Sequence, residues 1–337
     1  MDITKSILNN PFRTLDADAS DPKRRLIELA DEAALLGADH ADEALTALTN
    51  SNSRLEAETD WFPGASAAVI RSLTAYDASA CAAFPETRAL TPLAQVNACR
   101  ILLEAWPADT ADDAVAICRS MALAFDAVRA QGVMDDINAD RAKAGFQLLT
   151  DVAGVADRLA ALRKDVTERL YERISSVKGM NVRAVMNLVV DAYKGARSPL
   201  LEELVDFYAL RTHDDAQKLQ EAVLAGVKAL EAGGMAASLI KTASDLQAKL
   251  GAWGEMTEPL RRLKAVKGHS DEESLKVYAL TRSAAIDLHN KHHLTDSSYQ
   301  MMMMLKHIFG DFAPAKPYLT KDIAALEQMR AQMQFRR

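Results

Sequence analysis

Glycine, proline, cysteine and aromatic residues are all scarce in this chain, and each scarcity removes a class of structure. Only 14 glycines and 10 prolines punctuate 337 residues. A succession of short strands joined by hairpins would need turn formers far more often. No stretch alternates Val, Ile, Thr or aromatic residues with polar ones between turn signals, so no strand is predicted. The three cysteines, Cys81, Cys99 and Cys118, are odd in number and form no CxxC pair. That pattern fits neither a zinc knuckle nor a redox motif, and the thiols read as small apolar residues in a reducing compartment. No run of about 18 apolar residues occurs, so no membrane span is predicted. Residues 1–13 lack the apolar core of a signal peptide, and the expectation is a cytoplasmic protein.

Positive charge is also in short supply, and only locally. The chain carries a net charge of −7, all of it within residues 1–64, where 13 Asp/Glu face 6 Lys/Arg; the remainder sums to zero. An acidic N-terminal module on a neutral body excludes the usual nucleic-acid binder, which needs a net basic face to neutralise phosphates. It leaves room for a protein partner steered by charge.

Helical spacing, by contrast, is abundant. Hydrophobic residues make up 49% of the chain and charged residues 26%, an ordinary globular balance in a chain long enough to bury a core without staples. Asp21 and Pro22 suit the start of a helix whose Leu26, Leu29, Ala30, Ala33 and Leu36 share a face, with Gly37 as its stop. A second helix is predicted over 41–48 and a short turn at 53–55, with Trp61-Phe62-Pro63-Gly64 closing a small module. Breaks are expected near Pro85, Pro92 and Pro107–Asp109, the last leading into a helix capped by Asp109 or Thr110. The periodic stretch 135–177 predicts a helix roughly 60 Å long. Its Val152, Val155, Leu159, Leu162, Val166, Leu170 and Ile174 resemble a coiled-coil seam, packed against 181–195 and 213–250. Gly233-Gly234 and Gly251 through Pro259 punctuate the later part of the chain, which leads to helices over 270–293, 296–309 and 318–333. The expected architecture is all-α, divided into a head (1–64), a central bundle (65–254) and a C-terminal hairpin region (255–337).

Asn10-Pro11-Phe12-Arg13-Thr14-Leu15, the Ala19-Ser20 pair, the helix from Pro22, the run from Ala44 to Arg54-Leu55, and Trp61-Phe62-Pro63 together resemble a J domain of Hsp70 co-chaperones. The likeness is closer to the shortened J-like modules that open with Asn-Pro-Phe-Arg. It covers roughly residues 8–63. The resemblance implies docking on an Hsp70-type chaperone through a basic second helix and a His-Pro-Asp loop. Here the candidate partner-binding residues are Lys23, Arg24, Arg25, His40 and Asp42. The helix also carries Glu28, Asp31 and Glu32, and Asp39-His40-Ala41-Asp42 keeps a His-x-Asp spacing without the proline. Segment 272–333 is distantly similar to a tetratricopeptide hairpin.

Other chemistry is sparse. His289 and His293, one helical turn apart on the expected helix, are the candidate metal ligands, with Asp287 and Asp296 as third donors; the alternative is a polar helix end. Met301–Met304 reads as core or as an adaptable binding groove. Asp135-Asp136 with Asp140, and His213-Asp214-Asp215, read as caps at helix starts. Arg261-Arg262 with Lys264 and Lys267 reads as a solvated basic face. No phosphate loop, nucleophile elbow or kinase signature occurs. The sequence therefore points to a protein-interaction adaptor that binds a chaperone or a client and needs no cofactor. The alternatives are an assembly subunit forming a homo-oligomer through the long seam, and a metal-dependent enzyme built on His289 and His293.

Overall fold

The computed structural model describes residues 9–74, 90–105 and 110–335. Within them every regular element is a helix and no strand occurs, so the protein belongs to the all-α class. No helix among the described residues is long and apolar enough to cross a membrane. Cys81, Pro85 and the Pro107–Asp109 turn lie outside the described residues. The chain divides into two compact units, one comprising Met1–Val185 with Gly195–Leu204 and the other Met186–Lys194 with Val205–Arg337.

The first unit begins with four short helices, α1 (Pro11–Thr14), α2 (Lys23–Leu35), α3 (Ala41–Thr49) and α4 (Ser51–Thr59). Their sequence phrases turn out to be fasteners. Asn10 caps α1, its side chain accepting from Phe12 N at 3.0 Å while donating to Ala57 O at 2.9 Å and Asp60 O at 3.0 Å. One side chain thus ties the first helix to the end of the fourth. Phe12 stacks on Trp61 at 6.1 Å, and both sit in a core with Leu15, Leu26, Leu48 and Phe62. α2 starts one residue later than expected: Pro22 occupies the cap position with no side-chain bond, because the Asp21 carboxylate is engaged by Asp18 N at 2.7 Å. Its end is as the sequence implied, with Gly37 at φ +78° and Ala38 N donating to Ala33 O.

The core built by these helices does not stop at residue 64. It continues through Ile70 of α5 (Ala67–Thr74) and Leu90, Ala94, Ala98 and Ile101, the last three on α6 (Pro92–Ala105). The unit also holds α7 (Ala111–Ala127), capped by Thr110 as expected, α8 (Ala130–Ala144) and α9 (Val152–Ser176).

The 60 Å helix does not exist. Gly145 takes φ +72° as the left-handed cap of α8, Phe146 N closes on Arg141 O, and α9 begins only after Asp151. The intervening loop is pinned by Asn138, whose side chain accepts from Leu149 N and donates to Leu149 O. Asp135 and Asp136 accordingly lie inside α8, not at a helix start. The seam is real but filled from within: Val155, Leu162, Val166, Leu170 and Ile174 are buried, with α4, α6, α7 and α8 packed on α9.

α10 (Val182–Ala196) and α11 (Pro199–Glu231) contribute residues to both units. The second unit is completed by α12 (Ala236–Lys267), α13 (Glu272–Asn290), α14 (Thr295–Phe309) and α15 (Lys316–Phe335), with α14 packed on α12, α13 and α15. The expected break at Gly251–Pro259 is absent; α12 runs through it, and residue 254 lies mid-helix. Glycine there serves close packing, since a Cβ on Gly254 would come within 2.7 Å of Ile308. Likewise His213-Asp214-Asp215 fall in the interior of α11, so their capping role is lost. Met301 and Met302 are fully buried around Phe309, Trp253 and Tyr278, and Met304 packs at the margin. The methionine run is chiefly core.

Candidate functional site

The residues that the sequence nominated for partner binding fall in two places: Lys23, Arg24 and Arg25 at the start of α2, and His40 and Asp42 beyond its far end, at the start of α3. Packing fixes the inner side: Leu26, Leu29 and Ala30 are buried, which by helical spacing turns Arg24, Ile27, Asp31 and Leu35 outward. Lys23 and Arg24 are exposed. Arg24 pairs with Glu28 at 3.2 Å, and Arg25 with Glu28 and Glu32 at 3.3 and 3.1 Å. These are solvent-screened surface pairs that contribute little to stability. Their larger effect is to cancel the basic character of the helix, since three cations face Glu28, Asp31 and Glu32 along it.

The turn beyond is unusual in what it leaves in water. Leu35 and Leu36 are both 88% exposed. His40 comes next at φ +69°, a conformation that a non-glycine residue adopts at a cost of order 1 kcal/mol, and its Nδ1 lies 2.7 Å from Glu43 Oε2. Asp42 is exposed in the first turn of α3, and its carbonyl accepts from Thr46 Oγ1. His40 and Asp42 make no contact with one another that would define a catalytic pair.

Beneath this surface lies an ionic core that sequence reasoning missed. Arg54, Glu58 and Arg141 are 1%, 3% and 3% exposed. Glu58 accepts from Arg54 Nε at 2.7 Å and from Arg141 Nε and Nη2 at 2.9 and 2.7 Å. Arg54 also donates to Leu48 O and Ala19 O and lies 3.7 Å from the centre of the Phe146 ring. Burial pulls the Arg54 guanidinium below its ordinary pKa, opposed chiefly by Glu58. The spacing of Arg54 and Glu58 was a visible i,i+4 pair; nothing marked Arg141 as the third member.

A second cluster lines a cavity of about 430 Å³ beside Asn10. Arg100 pairs with Asp60 at 3.0 Å and Arg158 with Asp60 at 2.9 Å and Glu56 at 3.0 Å. Every charge there is matched by a neighbour, which leaves no evident demand for a ligand.

The histidine site fails on geometry. His289 lies near the end of α13, and its Nδ1 is 3.0 Å from Thr295 Oγ1. His293 lies beyond the helix at φ +56°. Asp287 and Asp296 are taken by Lys291 and Arg330. Among the described residues no three His, Cys, Asp or Glu side chains are placed to hold a metal ion. The basic stretch after Pro259 is not a solvated face either, since Arg261 is folded into the second unit and Arg262 pairs with Asp191 at 2.6 Å.

No protein-family model, curated protein or solved structure matches the chain. The ionic core is inaccessible, whereas the α2–α3 surface is open to a partner.

Proposed function

We propose that the protein is an interaction adaptor whose head docks a protein partner on the outer face of α2 and the turn into α3, and that the partner is an Hsp70-type chaperone. The observation that carries the docking surface is the exposure of Leu35 and Leu36 in the same turn of chain as His40 and Asp42. Burying a leucine side chain stabilises by about 1.5–3 kcal/mol, so the pair offers roughly 3–6 kcal/mol to a partner. Isolated apolar residues on a surface are ordinary, but two adjacent exposed leucines among charged neighbours have the composition of an interface anchor.

The chaperone assignment rests on the resemblance of residues 8–63 to a shortened J domain. The charge pattern alters how such docking would work. With Arg24 and Arg25 neutralised by Glu28 and Glu32, attraction to an acidic patch is weak, and binding is driven by the leucines and depends little on salt. The missing proline in the Asp39–Asp42 loop fits a docking role without ATPase stimulation.

The test is binding of a cytoplasmic Hsp70 to the full chain by biolayer interferometry, with steady-state ATP hydrolysis in parallel. Expected are binding that varies little with salt, an unchanged hydrolysis rate, and loss of binding in Leu35→Asp/Leu36→Asp with the melting temperature retained. Absence of binding by the wild type removes the chaperone link. Binding untouched by the double variant removes this surface, and binding untouched by His40→Gln removes His40 from it. An assembly subunit joined through the α9 seam is less favoured, because the chain buries that seam itself.

A further inference from the structure

A cleft of about 360 Å³ opens in the second unit between α11, α12 and the start of α13. Its volume is at the small end of the range for small-molecule sites. The unusual group on its wall is Arg261. The guanidinium donates from Nη1 to Ile308 O at 2.7 Å, from Nη2 to Gly254 O at 2.8 Å and from Nε to Thr257 Oγ1 at 3.2 Å. It lies 5.3 Å from the Phe309 ring centre and 5.7 Å from that of Trp253. Every partner is neutral. Arg261 forms no ion pair among the described residues, in contrast to the buried Arg54, Arg100 and Arg141 of the first unit, each of which meets a carboxylate. Three of its five N–H groups are used, so two remain for a further acceptor.

The rest of the lining narrows the chemistry. Lys264 is already committed to Asp271 at 3.2 Å, and Asp271 also holds Ser274 Oγ at 2.6 Å. Arg261 is left as the cation of the lining without an ion pair, while Glu221 and Glu273 stand at the cleft as negative neighbours. With Asp271, Glu221 and Glu273 against Arg261 and Lys264 on the lining, a dianion would meet more repulsion than attraction, and a monoanion is held only where its charge touches Arg261 directly. Trp253, Met256, Leu260 and Leu224 supply an apolar wall. A planar guanidinium matches a planar carboxylate with two parallel hydrogen bonds.

We propose that this cleft binds a small monocarboxylate carrying an apolar body, with Arg261 as the anchor for the carboxylate. Burial lowers the Arg261 pKa to about 10, offset only in part by Glu258 and Asp271. The group stays charged at neutral pH, and the desolvation it suffers is relieved by an anion of matching shape.

Isothermal titration calorimetry of the full chain with phenylacetate and hexanoate tests this, with phenylacetamide as the neutral isostere and inorganic phosphate as the competing anion. Expected is saturable millimolar or tighter binding of the carboxylates and at least about tenfold weaker binding of the amide, the equivalent of ~1.4 kcal/mol. Two variants separate site loss from unfolding. Arg261→Met removes the charge but strands two carbonyls, and its fold is checked by circular dichroism. Ala216→Trp fills the cleft from α11 without touching any Arg261 bond. Both should weaken phenylacetate at least about tenfold. Equal binding of acid and amide, preference for phosphate, no carboxylate binding, or full binding by Ala216→Trp would each overturn the assignment.

Discussion

Replacing Glu58 by Gln is the sharpest perturbation the structure offers, because one carboxylate holds two buried arginines. In the wild type its oxygens accept from Arg54 Nε at 2.7 Å and from Arg141 at 2.9 and 2.7 Å. The amide retains one acceptor and turns a donor toward a guanidinium, leaving two cations facing each other with no anion between them. Removing one partner from a buried ionic group costs about 3–5 kcal/mol, a large part of the about 5–15 kcal/mol that holds a typical domain. For a domain of about 150–250 residues each kcal/mol moves the midpoint by about 2–4 °C, so a fall of roughly 6–20 °C is expected. Urea unfolding followed by circular dichroism measures the loss, and hydrogen exchange of the α4 and α8 amides assigns it to the first unit. A triple change, Arg54→Met with Glu58→Leu and Arg141→Met, removes the charges together and should recover part of it. Recovery stays incomplete because Leu48 O, Ala19 O and Gln147 O lose their donors, each at about 1–3 kcal/mol. A Glu58→Gln protein within about 1 kcal/mol of wild type would refute the reasoning, since no buried ion pair should tolerate that loss so cheaply.

Four other outcomes rest on particular contacts. Gly254→Val should destabilise by about 1–3 kcal/mol through overpacking against Ile308, with partial rescue by Ile308→Ala in urea titrations; additive effects of the two changes would show that they do not meet. Asn10→Ala removes a cap and two bonds to the end of α4 and should cost about 1–3 kcal/mol in the same urea titrations. Burial pushes the thiols of Cys99 and Cys118 up to about 12, so iodoacetamide at pH 8 should leave both unmodified until the chain unfolds, as read by peptide mass mapping. Burial first, then Asp140 and Asp135, raises the Asp136 carboxyl, so the folded state holds its proton more tightly than the unfolded chain and loses stability as pH rises through the carboxylate range. Asp136→Asn should therefore stabilise at pH 7 and lose that advantage as the medium is acidified; a destabilised variant at pH 7 would contradict the sign.

The helical class was legible because it depends on local quantities: few turn formers, spacing near 3.6 residues, and Gly37 and Thr110 acting as stop and cap. Helix boundaries failed where a long-range contact outweighed a local signal. Gly254 and Pro259 look like breakers, yet α12 continues because the glycine lets it approach Ile308 and Arg261 supplies a donor to Gly254 O. Conversely, the unbroken period of 135–177 concealed a break made by Gly145 at positive φ and by Asn138 clasping Leu149. Acidic pairs misled for a related reason. Asp214 and Asp215 resemble caps only if a helix starts there, and α11 had begun at Pro199.

The same distinction governs which functional features could be foreseen. The proposed docking surface is written in a short stretch, Lys23 through Asp42, because a helix face and the turn after it are local objects. Even there, the exposure of Leu35 and Leu36 was hidden: Leu36 had the spacing of a core residue, yet at the C-cap of α2 it stands in water. A buried charge site is different in kind. Arg261 resembles its neighbours Arg262 and Lys264 in sequence, and its difference lies in meeting carbonyls of Gly254 and Ile308 and two aromatic rings instead of a carboxylate. Arg54 is fully buried and Arg261 half-buried, yet Arg54 is hydrogen-bonded to Glu58 while Arg261 forms no ion pair among the described residues and feels Glu258 and Asp271 only at a distance. A charge drawn out of water without an ion pair is costly, and that contrast separates the Arg54 cluster, closed on itself, from the proposed anchor at Arg261.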